Sequence, residues 1–202
     1  MMDSESSENE DVDIGKSLSG QKLMGLSLIS FTLYTLTALT LYYFFFDESL
    51  LSAFKHGYSI SIQVLYGFFA GCSAAGVIIF FSTRPPMGPV LEDFAIFKVL
   101  KNSNFTAFDR VQLSLFAGVG EEILFRGAMQ PLIGIWLTSI IFVAIHGYFK
   151  FKSAGHILFG ILLFGLSMML GFLYEYAGLI SAMIAHAIYD IILLWWVASR
   201  KS

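Results

Sequence analysis

The sequence predicts an all-α fold, a polytopic membrane helix bundle of about six transmembrane helices. Three observations carry that expectation. The 202 residues are 56% hydrophobic and only 13% charged, and the mean hydropathy of +0.73 is too high for a soluble domain of this length. Six apolar stretches approach the ~20 residues that a helix needs to cross a bilayer. The ionisable residues inside those stretches recur at i, i+4, the spacing of one helix face.

Taken in order, the chain opens on Met1 to Asp13, which hold six of the fifteen acids among Ser and Asn residues. Such a segment has almost nothing to bury, so residues 1–20 read as a disordered acidic cytoplasmic tail. It lacks the basic and apolar regions and the small-residue cleavage site of a signal peptide. Residues 21–202 form the transmembrane domain, with expected spans at Lys22 to Phe46, Ser59 to Ser82, Val111 to Met129, Leu132 to His146, Ala154 to Tyr174 and Leu179 to Ala198.

The third and fourth spans are short, and the fourth is preceded by Pro131. Short or broken spans with polar residues are where membrane proteins tend to build sites. The long connection from Thr83 to Arg110 contains Pro85, Pro86 and Pro89 and reads as an interfacial segment, with Asp109 capping the next helix. The lone Cys72 has no partner for a disulfide or a thiolate metal motif and is expected to pack between helices. Gly118, Gly120, Gly160, Gly165 and Gly171 are expected at close helix contacts.

The basic residues are distributed unevenly on this drawing. One side holds Lys16, Lys22, Arg84, Lys98, Lys101, Arg110, Lys150, Lys152, Arg200 and Lys201, and the other holds only Lys55. That asymmetry places both termini in the cytoplasm. No nucleic-acid partner is expected; the partners are the lipid bilayer and a membrane-associated protein or peptide.

Charges inside an apolar span need a reason, because the bilayer makes them expensive. In Ala117-Gly118-Val119-Gly120-Glu121-Glu122-Ile123-Leu124-Phe125-Arg126, Glu122 and Arg126 share a helix face and can pair, acid before base. Glu121 points about 100° away, a spare carboxylate able to take and return a proton. In the fourth span Phe142 and His146 lie one turn apart, and in the last span His186 and Asp190 do the same. Glu121, His146, His186 and Asp190 can therefore converge in the bundle core. Each feature alone also has a plain structural reading: an ion pair for Glu122 with Arg126, and an interfacial anchor for His146. His156 reads as a cap or a snorkelling side chain, and Glu175 as a span-end charge without a role.

The ordered set Glu-Glu-x-x-x-Arg, Phe-x-x-x-His and His-x-x-x-Asn/Asp on successive membrane helices resembles the CPBP family of intramembrane glutamic proteases. That family includes CAAX prenyl endopeptidases of the Rce type and bacterial abortive-infection and bacteriocin-immunity proteins. The resemblance implies a catalytic core at about residues 110–198 and an endopeptidase acting on a membrane-associated or lipidated protein or peptide, in the plasma membrane. It implies Glu121 as general base and His146 as the residue that holds and activates water. His186 and Asp190 would stabilise the oxyanion, with Glu122, Arg126 and Phe142 in support.

Asp190 is awkward in that role, since an ionised carboxylate repels an oxyanion; it is expected either to be protonated or to orient His186. No cofactor is expected. Zinc held by Glu121 or Glu122 with His146 and His186 is the minority reading. Gly-x-Ser-Gly and His-Glu-x-x-His, the marks of rhomboid and site-2 proteases, are absent from the sequence. Tyr189-Asp190 and Gly118-Val119-Gly120-Glu121 echo a presenilin-type aspartyl protease, but in reversed order and with one Asp as Glu. A non-catalytic binding or immunity protein using the same groove, or a proton-coupled transporter, are the alternatives outside proteolysis.

Overall fold

In a computed structural model, residues 20–94, 97 and 105–200 are described; the expected acidic tail, apart from Gly20, lies outside them. The elements are α1 (Gly20–Phe45), a 3-10 turn (Leu50–Phe54), α2 (Ile60–Ser82) and a second 3-10 turn (Gly88–Asp93). They continue with α3 (Ala107–Glu122), a π-helical turn (Ile123–Met129), α4 (Gln130–Ile145), α5 (Ala154–Tyr176) and α6 (Leu179–Ser199). Among the described residues there is no strand.

Five runs are long and apolar enough to cross a membrane: Lys22–Phe45, Ile60–Ser82, Ala107–Ile145, Ala154–Tyr176 and Leu179–Ser199. The third is 39 residues, about 58 Å if straight and nearly twice a bilayer core. It folds back at Gly134, whose φ of 78° and ψ of 163° leave the helical region. The five runs therefore supply six arms, matching the six expected spans with a different breakpoint. Pro131 does not break the helix, because it lies in the first turn of α4, where its missing N–H costs nothing.

The returning arm of α4, from Ile135 to Ile145, is only about 16 Å long. His146 consequently ends its helix about halfway through the bundle, not close to the membrane surface as a simple count of residues suggests. The chain then descends as irregular backbone to Ala154, which at membrane depth is tolerated where it lines a cavity.

Sequence dictates the helix contacts through small residues. Cβ atoms added at Gly67 and Gly71 of α2 would sit 2.6 and 2.5 Å from the Ser181 and Ala185 carbonyl oxygens of α6. One at Gly118 of α3 would lie 2.8 Å from the Ala187 nitrogen. Glycine alone lets these backbones meet. Gly120, Gly160 and Gly171 also face close neighbours as expected, whereas Gly165 faces open space.

α1 lies at the periphery, its Leu28, Ile29, Leu33 and Leu36 exposed as lipid-facing residues are. Its Thr32, Thr37 and Thr40 hydroxyls each donate to the carbonyl one turn back at 2.8 Å, which satisfies them without water. It is tied to the core where Tyr42 donates to the Gly127 carbonyl at 3.0 Å. α3 begins with a capping box in which Thr106 is the cap and Asp109 reaches back to its N–H at 2.9 Å. Asp109 thus caps from three residues inside, not from the first position. By chain direction Lys22, Arg84, Arg110, Lys150, Lys152 and Arg200 lie at one end of the bundle and Lys55 at the other.

Candidate active site

An unbroken helix would hold Glu121 and His146 about 37 Å apart. The fold-back at Gly134 brings His146 Nε2 to 3.5 Å from Glu121 Oε2. α6, packed along α3, adds His186, whose Nε2 lies 3.9 Å from the same carboxylate oxygen and 3.7 Å from Asp190 Oδ2. All four expected site residues therefore converge at mid-bundle, from α3, the end of α4 and α6.

Phe142 lies against both histidines. Its carbonyl accepts from His146 Nδ1 at 2.7 Å, and its ring lies 4.4 Å from the His146 ring and 6.0 Å from that of His186. Because a carbonyl only accepts, the Nδ1 proton of His146 is fixed, and Nε2 is left to face Glu121.

Glu122 and Arg126 form the expected pair, Arg126 Nε donating to Glu122 Oε2 at 3.2 Å with both side chains wholly buried. The other oxygen, Oε1, accepts from His186 Nδ1 at 2.8 Å. His186 is thus bonded to Glu122, while Asp190, expected either to be protonated or to orient His186, lies 3.7 Å from Nε2 and beyond hydrogen-bond reach.

The rest of the Arg126 guanidinium is also satisfied. Nη1 donates to Gln130 Oε1 at 3.2 Å, and Nη2 to Ser167 Oγ at 2.7 Å. Gln130 in turn donates to the Gly171 carbonyl at 3.1 Å and to Glu175 Oε1 at 2.9 Å, so Glu175 has a partner that sequence reasoning did not give it. Gln130 was legible in principle, since Glu122, Arg126 and Gln130 succeed one another every four residues. Ser167, on another helix, carried no such signal. His156, read from sequence as a cap or snorkelling group, is buried and bonds Asp93 Oδ2 at 3.0 Å and Ser153 Oγ at 2.9 Å.

A cavity of about 300 Å³ reaches this cluster. Leu23 and Val197 line it near the basic end of the bundle, Tyr34, Phe116 and Phe159 along its wall, and Glu121, Tyr148 and Asp190 at its depth. Glu121 thus touches the cavity, while Glu122 is closed off. Among the described residues no group of three His, Cys, Asp or Glu side chains is arranged to hold a metal ion. Both oxygens of Glu122 are already occupied by Arg126 and His186.

Comparison with known proteins agrees with this geometry in its location. Residues 103–192 match the family model described as Type II CAAX prenyl endopeptidase Rce1-like. Among curated proteins, the uncharacterized protein YpbD of Bacillus subtilis (strain 168) is 40% identical over 79 residues. That alignment spans 39% of this chain and 40% of the relative. No solved structure matches.

Proposed function

We propose that the chain, whose residues 103–192 match the Rce1-like family model of type II CAAX prenyl endopeptidases, is an intramembrane endopeptidase using water activated by Glu121 and His146. The observation that carries the reading is the 3.5 Å approach of His146 Nε2 to the cavity-facing Glu121 carboxylate. A water between them has an acceptor for its proton and a second group to hold it.

In this mechanism Glu121 takes the proton as the water oxygen attacks the scissile carbonyl carbon, and the carbonyl π electrons move onto oxygen. The C–N bond then breaks, with Glu121 returning the proton to the amine. His186, fixed by Glu122, presents Nε2 to the side of the site where the oxyanion develops. The substrate is a membrane-associated or lipidated protein or peptide that enters the apolar cavity from the basic end of the bundle. The concentration of basic residues at that end supports a cytoplasmic orientation for it, and the plasma membrane is the host bilayer that this reading takes.

The experiment compares the membrane proteomes of cells carrying the wild-type chain and Glu121→Gln. The expected result is a precursor that accumulates uncleaved in the variant alone. Equal processing of every membrane protein in the two strains refutes proteolysis and leaves a binding or immunity role for the cavity.

A further inference from the structure

The site as described is short of a donor. An oxyanion needs N–H or O–H groups aimed at it, and Asp190 stands where an amide side chain would supply one. Glu121 and Glu122 are both acceptors when ionised, and His186, whose Nδ1 proton is already given to Glu122, has a proton on Nε2 to donate only as the imidazolium. The stretch after α4 offers a second.

Gly147, with φ +69°, takes the left-handed conformation that glycine adopts freely and closes α4 with paired bonds. Its N–H donates to the Ala144 carbonyl at 3.0 Å and the Tyr148 N–H to the Val143 carbonyl at 3.2 Å, the geometry of a Schellman stop. The turn sends Tyr148 back over His146, the two rings 5.7 Å apart and 9° from parallel. Phe94 and Phe159 hold the other sides of the phenol ring at 6.1 and 5.6 Å. Tyr148 lines the same cavity as Glu121 and Asp190, and among the described residues its hydroxyl has no hydrogen-bond partner. Burial holds this phenol above its ordinary value near 10, so at neutral pH it is an O–H donor on a rigid ring with no acceptor among the described residues.

We propose that the Tyr148 hydroxyl is a further catalytic group, donating to the oxyanion that forms from the scissile carbonyl and supplying the donor that Asp190 does not. The assignment rests on the endopeptidase reading. It adds no bond-making step: the hydroxyl keeps its proton while the tetrahedral intermediate forms and collapses, and Glu121 remains the group that moves a proton from water to the leaving amine.

The test uses the full-length chain in its own membrane and the precursor that accumulates with Glu121→Gln, measured as the rate of precursor conversion. Tyr148→Phe, which keeps the stacked ring, is expected to slow conversion by about 10²-fold at unchanged protein level. Tyr43→Phe, which removes an exposed hydroxyl outside the cavity, is expected to convert at the wild-type rate. On an Asp190→Asn background, where an amide donor is restored, Tyr148→Phe is expected to cost under about threefold, the non-additivity of groups that share one task. A ring-fluorinated tyrosine at position 148 keeps the fold and makes the phenol more acidic. It is expected to bring in an alkaline limb that the wild-type profile lacks, because burial holds the unmodified phenol above its ordinary range, a change that a purely structural ring would not produce. Wild-type conversion by Tyr148→Phe, with Glu121→Gln inactive, overturns this assignment and leaves the protease reading standing. Absence of any precursor with Glu121→Gln overturns both.

Discussion

Glu121 and Glu122 are adjacent in sequence and belong to two different regions of the molecule. Glu122 sits in a dry polar core with Arg126, Gln130, Ser139, Ser167 and His186, its side chain wholly buried. Glu121 sits at the wall of a cavity with His146, Tyr148 and Asp190, where side chains are partly exposed and distances are longer. The helical rotation of about 100° per residue makes the division. In the dry region every charge is saturated by short bonds, so its groups hold geometry. In the open region Glu121 lies 3.5 Å from His146 and 3.9 Å from His186, and Asp190 lies 3.7 Å from His186, distances longer than that of the sealed pair Glu122 and His186.

The sharpest way to break that contrast is to remove one partner from the dry side. Glu122→Ala and Arg126→Ala each strand a buried charge, an expected loss of about 3–5 kcal/mol. Both variants should lose folded protein and activity together, measured by thermal melting in detergent and by yield. Wild-type melting for either would show that the pair does not hold the bundle.

On the open side the expected effect is confined to chemistry. Glu121→Gln should lower turnover by about 10²–10⁴-fold, the usual worth of a general base, while melting as the wild type does. A variant that unfolds would instead move Glu121 into the structural region.

Gln130→Leu tests the outer edge of the dry region. It removes the acceptor for Arg126 Nη1 and the donor to Glu175 and Gly171, with an expected cost of about 1–3 kcal/mol. Since His186 is reached only through Arg126 and Glu122, turnover should fall less than the melting temperature suggests. A larger effect on turnover than on stability would place Gln130 closer to the chemistry than its contacts do.

Exhaustive chelation is expected to have the smallest effect of all, none on turnover of the purified protein. Glu122 has no free oxygen to offer a metal, and taking Glu121 as a ligand would remove the base. Loss of activity restored by added zinc would join the two regions around a metal.

Much of this arrangement was legible in the chain. The pairs Glu122 with Arg126, Phe142 with His146 and His186 with Asp190 are local, and helix geometry alone fixes which side chains share a face. Apolar length likewise gave the arms, because a bilayer demands it. The boundary between the third and fourth spans, drawn between Met129 and Leu132, was misplaced. A proline in a first helical turn is compatible with the helix, whereas Gly134 takes a positive φ that turns the chain, and its neighbours do not announce that choice. Partners of Arg126 on other helices, Ser139 and Ser167, were invisible for a related reason: the sequence records residues along one helix but not the rotation of another helix against it. The same rotation decided that Glu122, rather than Asp190, bonds His186, and that Glu121 reaches the cavity. Sequence by itself determined a membrane bundle and the residue types that the proposed hydrolysis calls on within it. Tertiary structure decided which carboxylate is sealed and which is open, because burial depends on what packs against a face and not on the face alone.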